Sequence, residues 1–117
     1  MPLIQVFTSA PAPPKAAKEA LLRTLSRSLS SHFQKSEEWV MTCLVPDLAM
    51  TFAGESAPAC FAVVKNVGEL PPDRATRLSE ALTTELAEGL GVQKERVYIE
   101  FTEAKGRLWG WNGETFG

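Results

Sequence analysis

The sequence predicts an α+β fold: two successive β-α-β repeats forming one four-stranded mixed sheet, with two helices on one face. Two long stretches carry leucines at i+4 steps, Leu21, Leu25 and Leu29 in the first and Leu78, Leu82 and Leu86 in the second. Short β-rich runs flank each stretch. Proline and glycine mark the joints, at Pro11, Pro13 and Pro14, at Gly68, and at Pro71-Pro72.

The elements follow in order. Residues 2–8 read as a strand with Ile4 and Val6 on one face and Leu3 and Phe7 on the other. Residues 15–33 read as a helix, with Phe33 closing the leucine stripe and His32 in the last turn, near the negative end of the dipole. Residues 38–45 read as a second strand, closed by Pro46-Asp47. Residues 59–67 read as a third, with Phe61, Val63 and Val67 alternating with Ala62 and Val64. Residues 73–90 read as the second helix, started by Pro72-Asp73 and ended by Gly89 and Gly91. Residues 96–102 read as the last long strand. The joint Lys35-Ser36-Glu37-Glu38-Trp39-Val40 echoes Gln93-Lys94-Glu95-Arg96-Val97-Tyr98, a weak internal repeat.

Two helices cover only one side of a sheet, yet several strands are apolar on both sides. The uncovered side would be too large an apolar patch for a monomer. A closed ring of copies is expected to bury it.

The chain has 117 residues and a formal charge of −2, enough for one domain over residues 2–117. It has no basic stripe, which argues against a nucleic-acid partner. No apolar stretch approaches bilayer length, so no membrane partner is expected. No basic and apolar leader opens the chain, so a cytoplasmic location is expected. Cys43 and Cys60 sit in apolar runs and read as buried free thiols. With His32 as the single histidine, a multi-histidine metal site is not expected.

Pro2 either means nothing, since Met-Pro starts many proteins, or carries chemistry. Removal of Met1 would leave a secondary amine at the start of a strand, with φ fixed by the ring. Its neutral form is a base that can act on a carbon acid, and burial near a cation would lower its pKa towards neutrality. The tail, Gly106 to Gly117, holds Trp109, Trp111 and Phe116 among glycines, with Asn112-Gly113 as a tight-turn signal. Those aromatics either pack on the domain or wall a ligand.

With these pieces in place, the chain resembles the macrophage migration inhibitory factor family of the tautomerase superfamily, and looks most like its bacterial members. The resemblance runs through Pro2-Leu3-Ile4, Lys35, Val45-Pro46-Asp47, Met50-Thr51-Phe52-Ala53-Gly54, Val67-Gly68, Arg96-Val97-Tyr98-Ile99 and Gly110-Trp111-Asn112-Gly113-Glu114-Thr115-Phe116. It implies a homotrimer with sites between subunits and keto–enol exchange of compounds such as phenylpyruvate and dopachrome derivatives, without cofactor or metal.

Residue by residue, the resemblance makes Pro2 the catalytic base and Lys35 the cation for a substrate carboxylate. Val67 would meet ligand through its backbone. Tyr98 would be an aromatic lent by a neighbouring subunit. Trp109, Trp111 and Phe116 would wall the pocket. Glu100 stands at a ligand-contact position where the mammalian protein has asparagine, and a carboxylate there could repel an acidic substrate. Gln34 replaces a glycine before Lys35. The mammalian Cys-x-x-Cys positions match Ala59 and Ala62, so thiol–oxidoreductase activity is not expected. The alternatives are a cytokine-like or receptor-binding protein with residual tautomerase activity, and a decarboxylase or dehalogenase built on the same proline. Such chemistry usually recruits extra arginines, for which Arg96 and Arg107 are the candidates.

Overall fold

The leucine stripes fold as expected. In the structure, a computed structural model describing residues 1–117, helix α1 spans Lys15–Phe33 and helix α2 spans Pro72–Leu90. Leu21, Leu25, Leu29 and Phe33 of α1 are buried against Leu78, Leu82, Leu86 and Leu90 of α2 and against the sheet. Pro72 takes the first helical position, where its missing N–H costs nothing. Gly91 caps α2 at φ 69°. Gly89 does not end the helix as expected. It lies inside α2, where an added Cβ would stand 2.6 Å from Leu21 Cδ1, so glycine lets the helices approach.

The strands are β1 (Leu3–Thr8), β2 (Met41–Val45), β3 (Cys60–Val67) and β4 (Val97–Ala104), in the spatial order β2-β1-β3-β4. β1 runs parallel to β2 and antiparallel to β3, and β3 runs parallel to β4. Each β-α-β unit therefore keeps its own parallel pair, and the two units join through the central antiparallel ladder.

Two expected strands begin later than the sequence suggested. Glu37–Trp39 and Lys94–Arg96 form single 3₁₀ turns, so β2 starts at Met41 and β4 at Val97. In the first turn the Glu38 N–H donates to Ser36 Oγ at 3.4 Å, a local cap that competes with extended backbone. The echo between the two joints thus extends to their conformation.

Ile4, Val6, Ala62 and Val64 point to the helices and are buried. Leu3, Phe7, Phe61 and Val63 point to the other face and are only half-buried, with the Phe7 and Phe61 rings stacked at 6.3 Å. Met41 and Tyr98, each 64% exposed, belong to the same uncovered face. Cys60 is buried on the helix side, and burial pushes its thiol up to about 12. Cys43, expected to be buried, is half-buried because its register with Gln5 puts it on the uncovered face. No helix is long and apolar enough to cross a membrane.

Candidate active site

Pro2 sits at the end of the sheet where β1 and β2 begin and β3 ends. It is fully buried, and its carbonyl accepts the Met41 N–H at 3.1 Å, which holds the start of β1 against β2. Met1 lies in front of it, with its terminal amine donating to Asn66 Oδ1 at 3.4 Å. That amine is held below its ordinary pKa, first by burial and then by the Lys35 charge.

Two adjoining cavities open here. One, about 320 Å³, is bordered by Pro2, Glu38, Met41, Trp109 and Trp111. The other, about 350 Å³, is bordered by Lys35, Val67 and Phe116. Met1 and Trp39 border both, so they form the partition between them. Six of the expected site residues thus gather around Met1, and loss of Met1 would open one cavity towards the other.

The tail supplies the aromatic wall. β5 (Gly110–Trp111) and β6 (Glu114–Thr115) pair as a hairpin across Asn112 and Gly113, which both have positive φ, at 51° and 81°. Two successive positive φ values are what a type I′ turn requires. The Phe116 N–H donates to the Gly106 carbonyl at 2.9 Å. A Cβ on Gly106 would stand 2.5 Å from the Phe116 carbonyl oxygen, so only glycine lets the tail close back. Trp111 stacks on Phe116 with centroids 6.4 Å apart.

Lys35 follows the helix cap Gln34, whose φ of 54° and ψ of 46° are left-handed. Gln34 thus holds a conformation that favours glycine, and Lys35 N–H donates to the Ser30 carbonyl at 3.1 Å. Ser30 Oγ donates to the Lys35 carbonyl in return, which fixes the backbone that presents the ammonium.

The single chain does not bring Tyr98 or Glu100 to these cavities. Both lie on the uncovered sheet face, Tyr98 in register with Phe61 and Glu100 with Val63. The Tyr98 ring packs on Phe52 at 5.0 Å.

Two residues escaped the sequence reading, and a third, Arg96, was named there in another role. Trp39 was placed within a strand but is aimed into the site by its 3₁₀ turn, and Ser36 followed by two glutamates was the available signal. Asn66 is 6% exposed beside the chain start. Arg96 is buried and donates to the carbonyls of Phe52, Glu55, Ala57 and Pro58 at 2.7–3.3 Å. Its guanidinium also lies 5.3 Å from the Phe52 ring centroid. Arg96 is therefore a clasp on the 52–58 loop, away from the cavities.

The structure thus places the buried Pro2, Lys35 and the aromatic hairpin around Met1 at one end of the sheet. The family model described as Macrophage migration inhibitory factor (MIF) matches residues 1–117. The chain belongs to the macrophage migration inhibitory factor family. It is similar to the macrophage migration inhibitory factor of Meriones unguiculatus, 30% identical over 116 residues and 99% of each chain. A homolog from Brugia malayi is 30% identical over 117 residues, covering all of both chains. The crystal structure of a macrophage migration inhibitory factor homologue from Prochlorococcus marinus superposes with a TM-score of 0.92 at 39% identity, over 98% of this chain and 99% of that one. The structure of Leishmania major MIF2 gives 0.89 at 25% identity, over 99% and 97%. The family membership fits both the sheet order and the helices on one face.

Proposed function

We propose that this family member is a keto–enol tautomerase of the phenylpyruvate or dopachrome type, with Pro2 as general base once Met1 is removed. The observation that carries this reading is the slot at the chain start, walled by Trp39, Trp109 and Trp111, where burial and Lys35 lower the pKa of the Met1 amine in front of the buried Pro2. Burial and the Lys35 charge both disfavour an ammonium there, so an amine in the slot stays neutral at lower pH than a free one. A neutral secondary amine takes the enol hydroxyl proton and returns it to the adjacent carbon. No atom is gained or lost, and no cofactor is called for. Such a base contributes about 10²–10⁴-fold. Lys35 pairs with the substrate carboxylate and with the charge that develops on the enolate oxygen. The indoles exclude water and stack on an aryl group.

The half-buried apolar face of the sheet supports assembly as a homotrimer, in which Tyr98 and Glu100 would meet a neighbour's site. Four of the five N–H groups of Arg96 donate to carbonyls of the 52–58 loop, which argues against its serving a decarboxylase or dehalogenase. Phenylpyruvate ketonisation by chain whose mass shows Met1 gone is the test. Turnover that is lost in Pro2→Gly supports the reading. Equal turnover in that variant would overturn it.

A further inference from the structure

The end of β3 carries a buried amide that the tautomerase reading does not use. β1 and β3 pair with Leu3 opposite Lys65 and Ile4 opposite Val64. One step further along the same antiparallel register, Asn66 stands opposite Pro2. Residues directly opposite in such a pair hold their Cβ atoms roughly 4.5–5.5 Å apart on the same face. Asn66 is almost fully buried, and the only hydrogen bond its side chain makes is the one its Oδ1 accepts from the Met1 amine. That amine lies about 3 Å from the Pro2 nitrogen, by the covalent geometry of one residue. A buried amide whose oxygen faces the start of the chain is suited to hold whichever amine stands there.

We propose that Asn66 is a positioning residue for the Pro2 amine: its Oδ1 accepts an N–H of the protonated secondary amine and leaves the other N–H for the substrate carbon. A secondary ammonium has two N–H bonds, and holding one fixes the direction of the other. When the amine is neutral, its single N–H keeps the same partner and the lone pair faces the cavity. This inference rests on the proposed role of Pro2 as base.

The charged groups around this amine are few. Lys35 acts through space on the Met1 amine in front of Pro2 and disfavours its charged form. Glu38 borders the same cavity as Pro2. Glu103 is in register with Asn66 on β4, but its carboxylate accepts the Leu70 N–H at 2.6 Å and is engaged there. An acceptor at position 66 opposes the effect of Lys35, so the two residues set the amine's proton affinity between them.

The experiment is a pH titration of the Pro2 amine itself, followed by its ¹⁵N chemical shift in Met1-free protein. Wild type is compared with Asn66→Ala, Asn66→Ser and Asn66→Asp. The proposal expects opposite movements. Asn66→Ala loses the acceptor and lowers the amine pKa. Asn66→Asp places a carboxylate there and raises it by about one unit or more, the range for an opposite charge at close quarters. The acid limb of kcat/KM should move with each titration. A Pro2 pKa unchanged across the set, or moving the same way in the alanine and aspartate variants, would overturn the proposal. If Asn66→Ala does not fold, Asn66→Ser against Asn66→Asp gives the same comparison of sign. The titration needs no turnover, so absence of phenylpyruvate ketonisation in wild type counts against the tautomerase reading and leaves the amine measurement intact.

Discussion

The indole of Trp111 stands edge-on to that of Trp39, with centroids 4.8 Å apart and planes at 80°. One comes from the tail hairpin and the other from the 3₁₀ turn after α1, so the contact joins chain segments 72 residues apart (111 − 39). An aromatic pair of this geometry contributes about 0.5–1.5 kcal/mol beyond its burial. Trp39→Ala should therefore loosen the hairpin and widen both cavities. KM for phenylpyruvate should rise about 2- to 12-fold, the kinetic equivalent of that energy. An enol without an aryl ring should show little change, and steady-state kinetics on the two substrates checks the difference.

On the proposed mechanism, Lys35 would tune the Pro2 amine as well as meet the carboxylate. The Met1 amine at this place is held low by burial first and by Lys35 second, and the same two causes would act on a Pro2 amine. The base works only when neutral, so activity falls as the pH drops through the amine pKa. Lys35→Gln removes the second cause, raises that pKa, and should shift the acid limb of kcat/KM towards higher pH. KM for a carboxylate substrate should rise in the same variant. A pH–rate profile from pH 5 to 9 reads both effects.

Arg96→Met should be among the most destabilising single changes. It leaves the carbonyls of Phe52, Glu55, Ala57 and Pro58 without their donor. Hydrogen bonds to a charged group contribute about 1.5–3 kcal/mol each, so a loss of ~3 kcal/mol or more is expected in urea unfolding. The 52–58 loop should become the first point of proteolysis.

Gln34→Gly should stabilise the fold modestly. A left-handed conformation costs an L-residue about 1–2 kcal/mol, and glycine gives part of that back as unfolded-chain entropy. A net gain of about 0.5–1 kcal/mol is expected in chemical denaturation, with the same tautomerase kinetics.

Glu85 bears on the pH dependence of stability. Its Oε2 accepts the Ser28 hydroxyl at 2.5 Å, while its Oε1 is buried without a partner. Burial raises its pKa, more than Ser28, His32 and Arg27 lower it. The folded state thus binds this proton more tightly than the unfolded one, so its contribution to stability declines as pH rises above the ordinary carboxylate value. Glu85→Met should raise Tm at pH 7, and the gain should shrink as the pH is lowered towards 4. Melting curves at the two pH values measure it.

The sheet, both helices and the tail hairpin were legible because each obeys a local rule. Leucines at i+4 mark the helices, period-two apolar runs mark the strands, and Asn112-Gly113 marks the turn. Pro2, Lys35 and the tail aromatics were legible through the family resemblance, since a lone lysine or proline carries no pattern. Trp39 was missed because Ser36 bends the chain where its β-forming neighbours suggested extension. Asn66 was missed, and Arg96 was given another role, because what they do depends on partners 38 to 65 residues away. Nothing in the local sequence distinguishes a buried clasp from a solvated arginine. Gly89 was misplaced because close helix approach and helix ending ask for the same residue.

The central ladder bears on how the chain reaches its fold. β1 and β3 are the joined inner edges of the two repeats, and their partners are 52 to 62 residues apart, from Thr8 with Cys60 to Leu3 with Lys65. The helices can form early from neighbours, but the sheet cannot close until more than half of the polypeptide has been made and folded back. Loop-closure entropy is lost before those pairs are gained, which slows the rate-limiting step relative to a helical bundle of equal length. During that interval the strand edges and the apolar sheet face stand open together, and that is when the nascent chain most needs to be kept apart from its copies.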